Sequence, residues 1–301
     1  MQTDALYHQP RTRRPVASAL LPALLVFFLS LLADVTAAGT RKDGDFYVVR
    51  SKHYVVQTDV NINFAREIGH FMDFVYEEYS NRLKGFDTTS TVKFHVRIYE
   101  NKQDFIEFLG NKKGMENYIG VFYRRKRLLC SYLGDGPKEK LLRTLTHEGF
   151  HQFMFTHISR NAPPWLDEGL AEYFQNAIRG RGRFRPEILP RAHLIMLRRA
   201  IQKKRLIRPL DLMTMHRRQW NHNLSNKAVA YLLYSEAWSL AHFLLHGDSW
   251  KIGDFLDRYL EAIKGARVGP GARKEYVNYA FGDRFDTFVE NWRGYVDELV
   301  R

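Results

Sequence analysis

Thr146-His147-Glu148-Gly149-Phe150-His151 stands within Lys138 to Ile158, a stretch whose apolar spacing predicts a helix. On a helix, residues i and i+4 lie one above the other, so His147 and His151 present two imidazoles on one face. Two ring nitrogens so placed can share one metal ion. Glu148 lies beside that face, where it can reach a water on the metal but not the metal itself. Zinc (Zn2+) suits this set, because it accepts imidazole and carboxylate and lowers the pKa of water at an open position to about 7. Glu148 is then a general base that takes the water's proton and passes it to a leaving amine. Gly149 costs a helix about 1 kcal/mol against alanine. Close helix packing and close approach of a substrate account for it equally well.

A short H-E-x-x-H can arise by chance, so the next stretch matters. Pro164-Trp165-Leu166-Asp167-Glu168-Gly169-Leu170-Ala171-Glu172-Tyr173-Phe174 opens a second predicted helix, Asp167 to Ile178. Running antiparallel to the first, it offers Glu168 as a third metal ligand. Glu172, one turn further on the same face, is placed to accept the other ring N–H of a liganding histidine and fix its tautomer.

Upstream, the period changes from helix to strand. Phe46 to Thr58 is rich in Tyr and Val and is broken by Ser51-Lys52. Asn63 to Leu83 is an amphipathic helix. Thr91 to Glu100 alternates, with Val92, Phe94, Val96 and Ile98 on one face and Lys93, His95, Arg97 and Tyr99 on the other. A short helix follows, capped by Asn101 and stopped by Gly110. Tyr118 to Tyr132 reads as a strand or hairpin whose charged middle, Arg124 to Arg127, suits a sheet edge. Gly134-Asp135-Gly136-Pro137 is a loop. Beyond it the pattern is helical, over Lys138–Ile158, Asp167–Ile178, Arg191–Arg205, Asn226–Leu245, Trp250–Ile263, Arg273–Phe281 and Phe285–Leu299. The expected class is α+β: a mixed α/β sheet lobe over residues 39–137, then an all-α lobe over 138–301 that carries the metal ligands.

Composition supports a folded chain with a large core. Of 301 residues, 45% are hydrophobic and 14% aromatic, which excludes a disordered or fibrous chain. One cysteine, Cys130, excludes an intrachain disulfide framework and a cysteine-built zinc ribbon. The net charge is +13, and Arg179 to Arg218 holds thirteen Lys or Arg against Glu187 and Asp211. Such a segment is either a solvated helical surface or a face for acidic substrates, polyanions or an anionic envelope surface.

Arg11, Arg13 and Arg14 precede an apolar run from Val16 to Ala33, and small residues follow at Thr36, Ala37 and Ala38. This is the order of a secretory signal, cleaved after Ala37 or Ala38 or kept as an anchor. Both readings place the rest of the chain outside the cytoplasm, secreted, periplasmic or membrane-anchored. Export counts against nucleic acid as the partner of the Arg179-Gly180-Arg181-Gly182-Arg183-Phe184-Arg185 run.

The pair HEGFH…WLDEGLAEYF resembles the gluzincin (peptidase MA-like) clan of zinc metallopeptidases, whose members include thermolysin and the aminopeptidase N family. Within it the chain is most similar to a group of exported bacterial peptidase-like proteins, over roughly Phe46 to Leu299. The interval from His151 to Glu168 is slightly shorter than in aminopeptidase N, which leaves the connecting loop and some pocket walls open. The resemblance implies a metallopeptidase acting on a peptide or protein substrate. It implies a thermolysin-like architecture with a substrate-binding edge strand above the metal helix, here Tyr118 and Gly120. It also implies an oxyanion-stabilising tyrosine in Tyr234-Ser235-Glu236-Ala237-Trp238, where Tyr234 matches. On residues alone Tyr234 is equally a core position, with Tyr231 as the substitute. Gly114-Met115-Glu116-Asn117 nearly repeats an aminopeptidase signature, in which Glu116 would hold a substrate's free amino terminus. Chance accounts for so short a match as well. A metal-bearing but non-catalytic polyanion binder is the competing reading. His157, His216, His222, His242 and His246 lack ligand spacing and are expected in surface or core roles.

Overall fold

Alternating apolar residues build the first layer. In the computed structural model, which describes residues 41–83, 92–111, 114–179, 182–248, 254–264 and 271–301, six strands form one mixed sheet. They are β1 (Arg41–Asp43), β2 (Phe46–Arg50), β3 (Tyr54–Thr58), β4 (Phe94–Tyr99), β5 (Gly120–Tyr123) and β6 (Leu128–Tyr132), in spatial order 1-2-3-4-6-5. β1, β2 and β3 form an antiparallel meander, β4 runs parallel to both β3 and β6, and β5 closes the far side antiparallel to β6. Residues 1–38, where the sequence predicts a targeting segment, lie outside the described residues. No described helix is long and apolar enough to cross a membrane.

The β3–β4 crossover is helix α1 (Ile62–Arg82), started by Asn61, whose side chain accepts from Phe64 N at 2.9 Å. Its apolar stripe, including Ile68, Met72, Val75 and Tyr79, is fully buried between the sheet and the helix that carries the histidines. β4 follows the expected alternation at Phe94, Val96 and Ile98, all buried. Two positions depart from it. Val92 precedes the strand and is 62% exposed, while Tyr99 on the opposite face is buried against Phe105, Leu128 and Cys130. The cause is helix α2 (Lys102–Phe108), which covers that second face. Asn101 caps α2 as expected, accepting from Asp104 N at 3.0 Å.

The helical part follows from α3 (Lys138–Phe153), which continues into a π-helical turn, Met154–Ile158. Next come α4 (Pro164–Ala177), a two-stranded ribbon β7 (Ile178–Arg179) and β8 (Arg183–Phe184), α5 (Arg191–Gln202), α6 (Pro209–Thr214) and α7 (Arg217–Asn223). The chain then forms α8 (Lys227–His246), α9 (Phe255–Ile263), α10 (Ala272–Phe281) and α11 (Phe285–Val300). The ribbon, α6 and α7 fall in or beside the basic stretch, outside its expected helix Arg191–Arg205. They are too short to show an apolar period. The described residues form one compact unit, with a main core from Val49 in the sheet to Val300 in α11 and a smaller cluster of Tyr99, Phe105, Leu128 and Cys130 under α2. The class is therefore α+β, a sheet followed by helices. The sheet-to-helix boundary at Pro137 separates two layers of one core.

Candidate metal centre

The site sits where α3, α4 and α8 meet under the sheet edge. α4 begins with Pro164 at its first turn, a position that needs no intrahelical N–H bond. It packs against both α3 and α8. Gly169 makes the second contact. A Cβ there would stand 2.3 Å from the carbonyl oxygen of Ala237 in α8. Gly149 answers its open question on the side of helix packing, since a Cβ there would stand 2.9 Å from Met72 Cε in α1.

His147, His151 and Glu168 each offer a ligand atom within 4.8 Å of the others. Glu168 Oε2 lies 3.5 Å from Nε2 of both histidines. The two Nδ1 atoms point away, each to its own carboxylate. His151 Nδ1 lies 2.8 Å from Asp167 Oδ1, and His147 Nδ1 lies 3.5 Å from Glu172 Oε1 without forming a hydrogen bond. Glu172 thus faces the ring nitrogen it is expected to accept from, but without the hydrogen bond.

Arg217 closes the outer side of the centre. Its guanidinium donates from Nη1 to Glu168 Oε1 at 2.7 Å and from Nη2 to Asp167 Oδ2 at 2.6 Å. That fork occupies one oxygen of each carboxylate and leaves the other facing a histidine. Burial works against ionisation throughout this cluster, and mutual pairing overcomes it. Burial pulls the His151 imidazole down, but Asp167 and Glu168 lift it well above its usual value. Burial pushes Glu168 up, yet the two histidines hold it well below the carboxylate range.

Glu148 is anchored to the sheet. The Phe122 backbone N–H of β5 donates to its Oε2 at 2.8 Å. β5 is the outer strand beside α3, and Arg124 to Arg127 form the exposed turn to β6. The hairpin expectation and its charged edge both hold. Gly120 opens β5, and Tyr118 stands half exposed just before it.

Tyr234 projects from α8 into the electrostatic field of Glu168, Glu172 and Glu148. Burial first, and those three carboxylates next, push its hydroxyl far above the usual phenol range, so it stays a hydrogen-bond donor. Trp220 packs edge-on against its ring at 5.8 Å. Tyr231 is 57% exposed and joins no contact at the centre among the described residues. Glu116 is not brought to the centre either. It is exposed, and its carboxylate accepts from the Gly114 backbone N–H at 2.7 Å.

Three of the other histidines make structural bonds. His157 pairs with Tyr76 OH at 3.0 Å, His242 with Tyr295 OH at 2.6 Å, and His246 with Tyr173 OH at 2.6 Å. Sequence reading missed three members of the centre. Asp167 was visible beside Glu168 but had no assigned partner. Arg217 lies 49 residues from Glu168 in a stretch without period. His193 on α5 lies between Glu172 Oε2 and Ser235 Oγ, 3.0 Å from each, and so braces Glu172 from behind.

Comparison with known proteins adds a family without a stated activity. The chain is similar to a family described as a protein of unknown function, DUF1570, over residues 142–262. That segment contains His147, Glu148, His151, Asp167, Glu168, Glu172, His193, Arg217 and Tyr234, but not the sheet. No curated protein matches the chain.

Proposed function

We propose that the chain is an exported zinc-dependent metallopeptidase that hydrolyses peptide bonds. One observation carries the reading: two imidazole Nε2 atoms converge on one glutamate oxygen, while both Nδ1 atoms face separate carboxylates. That donor set fits zinc, which takes imidazole and carboxylate and favours histidines oriented by a second carboxylate. His147, His151 and Glu168 would hold the ion. When bound, zinc supplies a Lewis acid that polarises a carbonyl and lowers the pKa of water to about 7.

The chain's own residues do the rest. Glu148, held through Oε2 by the β5 backbone, accepts a proton from the attacking water and delivers it to the leaving amine. Tyr234, kept protonated, donates to the developing negative charge on the carbonyl oxygen. Asp167 and Glu172 fix the ring orientations of His151 and His147. The outer edge of β5 receives the peptide by strand addition, and the Arg124 to Arg127 turn favours acidic residues in it.

The competing polyanion-binding module draws on the basic stretch, but several of those charges are engaged. Arg185 pairs with Glu187, Arg208 with Asp211, and Arg217 with Asp167 and Glu168. Arg198 donates to the Val300 carbonyl.

The test has two readouts. The purified chain is expected to hold one zinc, lost in His151→Ala. Peptide turnover is expected to disappear in Glu148→Gln while zinc stays bound. No metal in the wild type after zinc is supplied overturns the proposal. Undiminished turnover in Glu148→Gln removes the assigned base.

A further inference from the structure

A second site lies away from the metal centre. A cavity of about 600 Å³ opens between α6, α7 and the start of α10. Its floor is Arg273, which is only 8% exposed. Burying a guanidinium is costly unless an opposite charge compensates it. No Asp or Glu pairs with Arg273 among the described residues. Its one hydrogen-bonding partner is His216 Nδ1, 2.6 Å from Nη1, and a ring nitrogen that accepts there brings no negative charge. The buried Nε has no hydrogen-bond partner among the described residues. Asp211 also lines the cavity, but both its oxygens are taken by Arg208, at 2.6 and 3.0 Å.

A second, independent donor set meets the same space. α10 is a ten-residue helix whose first turn has no side-chain cap. Its N-cap, Gly271, lines the cavity with φ +88°, a conformation that L side chains rarely adopt. The first N–H groups of such a helix, with the positive end of its dipole, favour an anion. Lys274 adds a charge on the rim.

We propose that this cavity binds a small molecule bearing a carboxylate or phosphate group, seated on Arg273 and the first turn of α10. The positive charge of Arg273 beside the Ala272 and Arg273 backbone N–H groups, which bond no carbonyl among the described residues, suits either oxoanion. The volume has room for a larger body behind the anionic group, with the amides of Gln219 and Asn223 to meet its polar atoms. A recessed arginine of this kind cannot reach the backbone of an extended polyanion, so the ligand is a small molecule. The proposal stands apart from the metal reading and shares no residue with it.

Thermal unfolding of the full chain tests it, with inorganic phosphate or succinate against sodium chloride of equal ionic strength. The expected result is a midpoint raised by about 3 °C once the anion exceeds its Kd tenfold. Arg273→Met should lose that rise, and Lys274→Ala, on the exposed rim, should lose half of it or more. Comparing variants with the wild type cancels any anion bound at the metal centre. A response to phosphate alone assigns a phosphoester ligand, and one to succinate alone a carboxylate. No rise with either anion in the wild type overturns the proposal, as does an equal rise in Arg273→Met. Should Arg273→Met not fold, an undiminished rise in Lys274→Ala overturns it.

Discussion

At the scale of single residues, the centre is built from two layers of carboxylate around two histidines. The inner carboxylate, Glu168, faces both Nε2 atoms; the outer pair, Asp167 and Glu172, faces the Nδ1 atoms. The outer contacts are unequal. Asp167 lies at hydrogen-bonding distance from His151, 2.8 Å, whereas Glu172 stands 3.5 Å from His147. Asp167 also carries one arm of Arg217. Removing it loses the orientation of His151, leaves Arg217 with Glu168 alone, and takes from Arg124 its carboxylate partner beside a cation site. These effects weaken metal binding, so the sign is fixed. Loss of an outer carboxylate costs roughly 10–100-fold in metal affinity. Asp167→Ala is expected near the upper end of that range, Asp167→Asn lower, and Glu172→Ala lower than Asp167→Ala. Competition for zinc against a chelator of known affinity measures all three. Equal affinity in Asp167→Ala and the wild type would show that Asp167 does not orient His151.

At the scale of elements, glycine spacing separates two kinds of close contact. A Cβ at Gly169 meets backbone of α8, the Ala237 oxygen at 2.3 Å and its carbon at 2.8 Å. Neither can step aside, so Gly169→Ala must push α4 from α8. Overpacking of this kind costs about 3 kcal/mol, or roughly 6–12 °C in a domain of this size. A Cβ at Gly149 meets the end of Met72, a flexible side chain, at 2.9 Å, and Tyr79 Oη at 3.3 Å. That clash relaxes more easily, and alanine returns about 1 kcal/mol of helix propensity. Gly149→Ala is therefore expected to shift the melting temperature far less than Gly169→Ala. Melting curves of the two variants decide it, and equal shifts would mean that helices α4 and α8 yield as readily as one methionine. The same scale marks what the sequence could reveal. α1, α3, α4, α8 and α11 are long enough to show their period, and β4 shows its alternation. The His147–His151–Glu168 set follows from i, i+4 spacing and one antiparallel turn. Arg217 and His193 were out of reach, because they come from short or separate helices and meet Glu168 and Glu172 only through tertiary packing. Tyr99 was misread for a related reason, since the cover on its face comes from α2.

At the scale of the whole molecule, one buried acid ties global stability to pH. Glu236 on α8 is fully buried, with Oε1 accepting from Ile207 N at 3.0 Å and Oε2 without a partner among the described residues. Burial pushes its carboxyl up to about 8, the Ile207 N–H opposing only in part. The unfolded chain returns the group to the ordinary value of 4.5. Below pH 4.5 both states hold the proton and the group costs nothing. Between 4.5 and 8 the folded state holds a proton that the unfolded state has released, so stability falls as pH rises. The slope is about 1.4 kcal/mol per pH unit, and the loss across the window is roughly 4 kcal/mol. Glu236→Gln keeps the shape and an oxygen for the Ile207 N–H, but it cannot ionise. The variant should therefore match the wild type most closely at pH 5 and become progressively more stable than it toward pH 8.5. Urea unfolding of both proteins across that range gives the difference directly. Other titrating groups, such as His242 held down at about 4 by burial, act alike in both proteins and cancel. Parallel stability curves would mean that Glu236 ionises freely in the fold, through a water or a partner that satisfies Oε2.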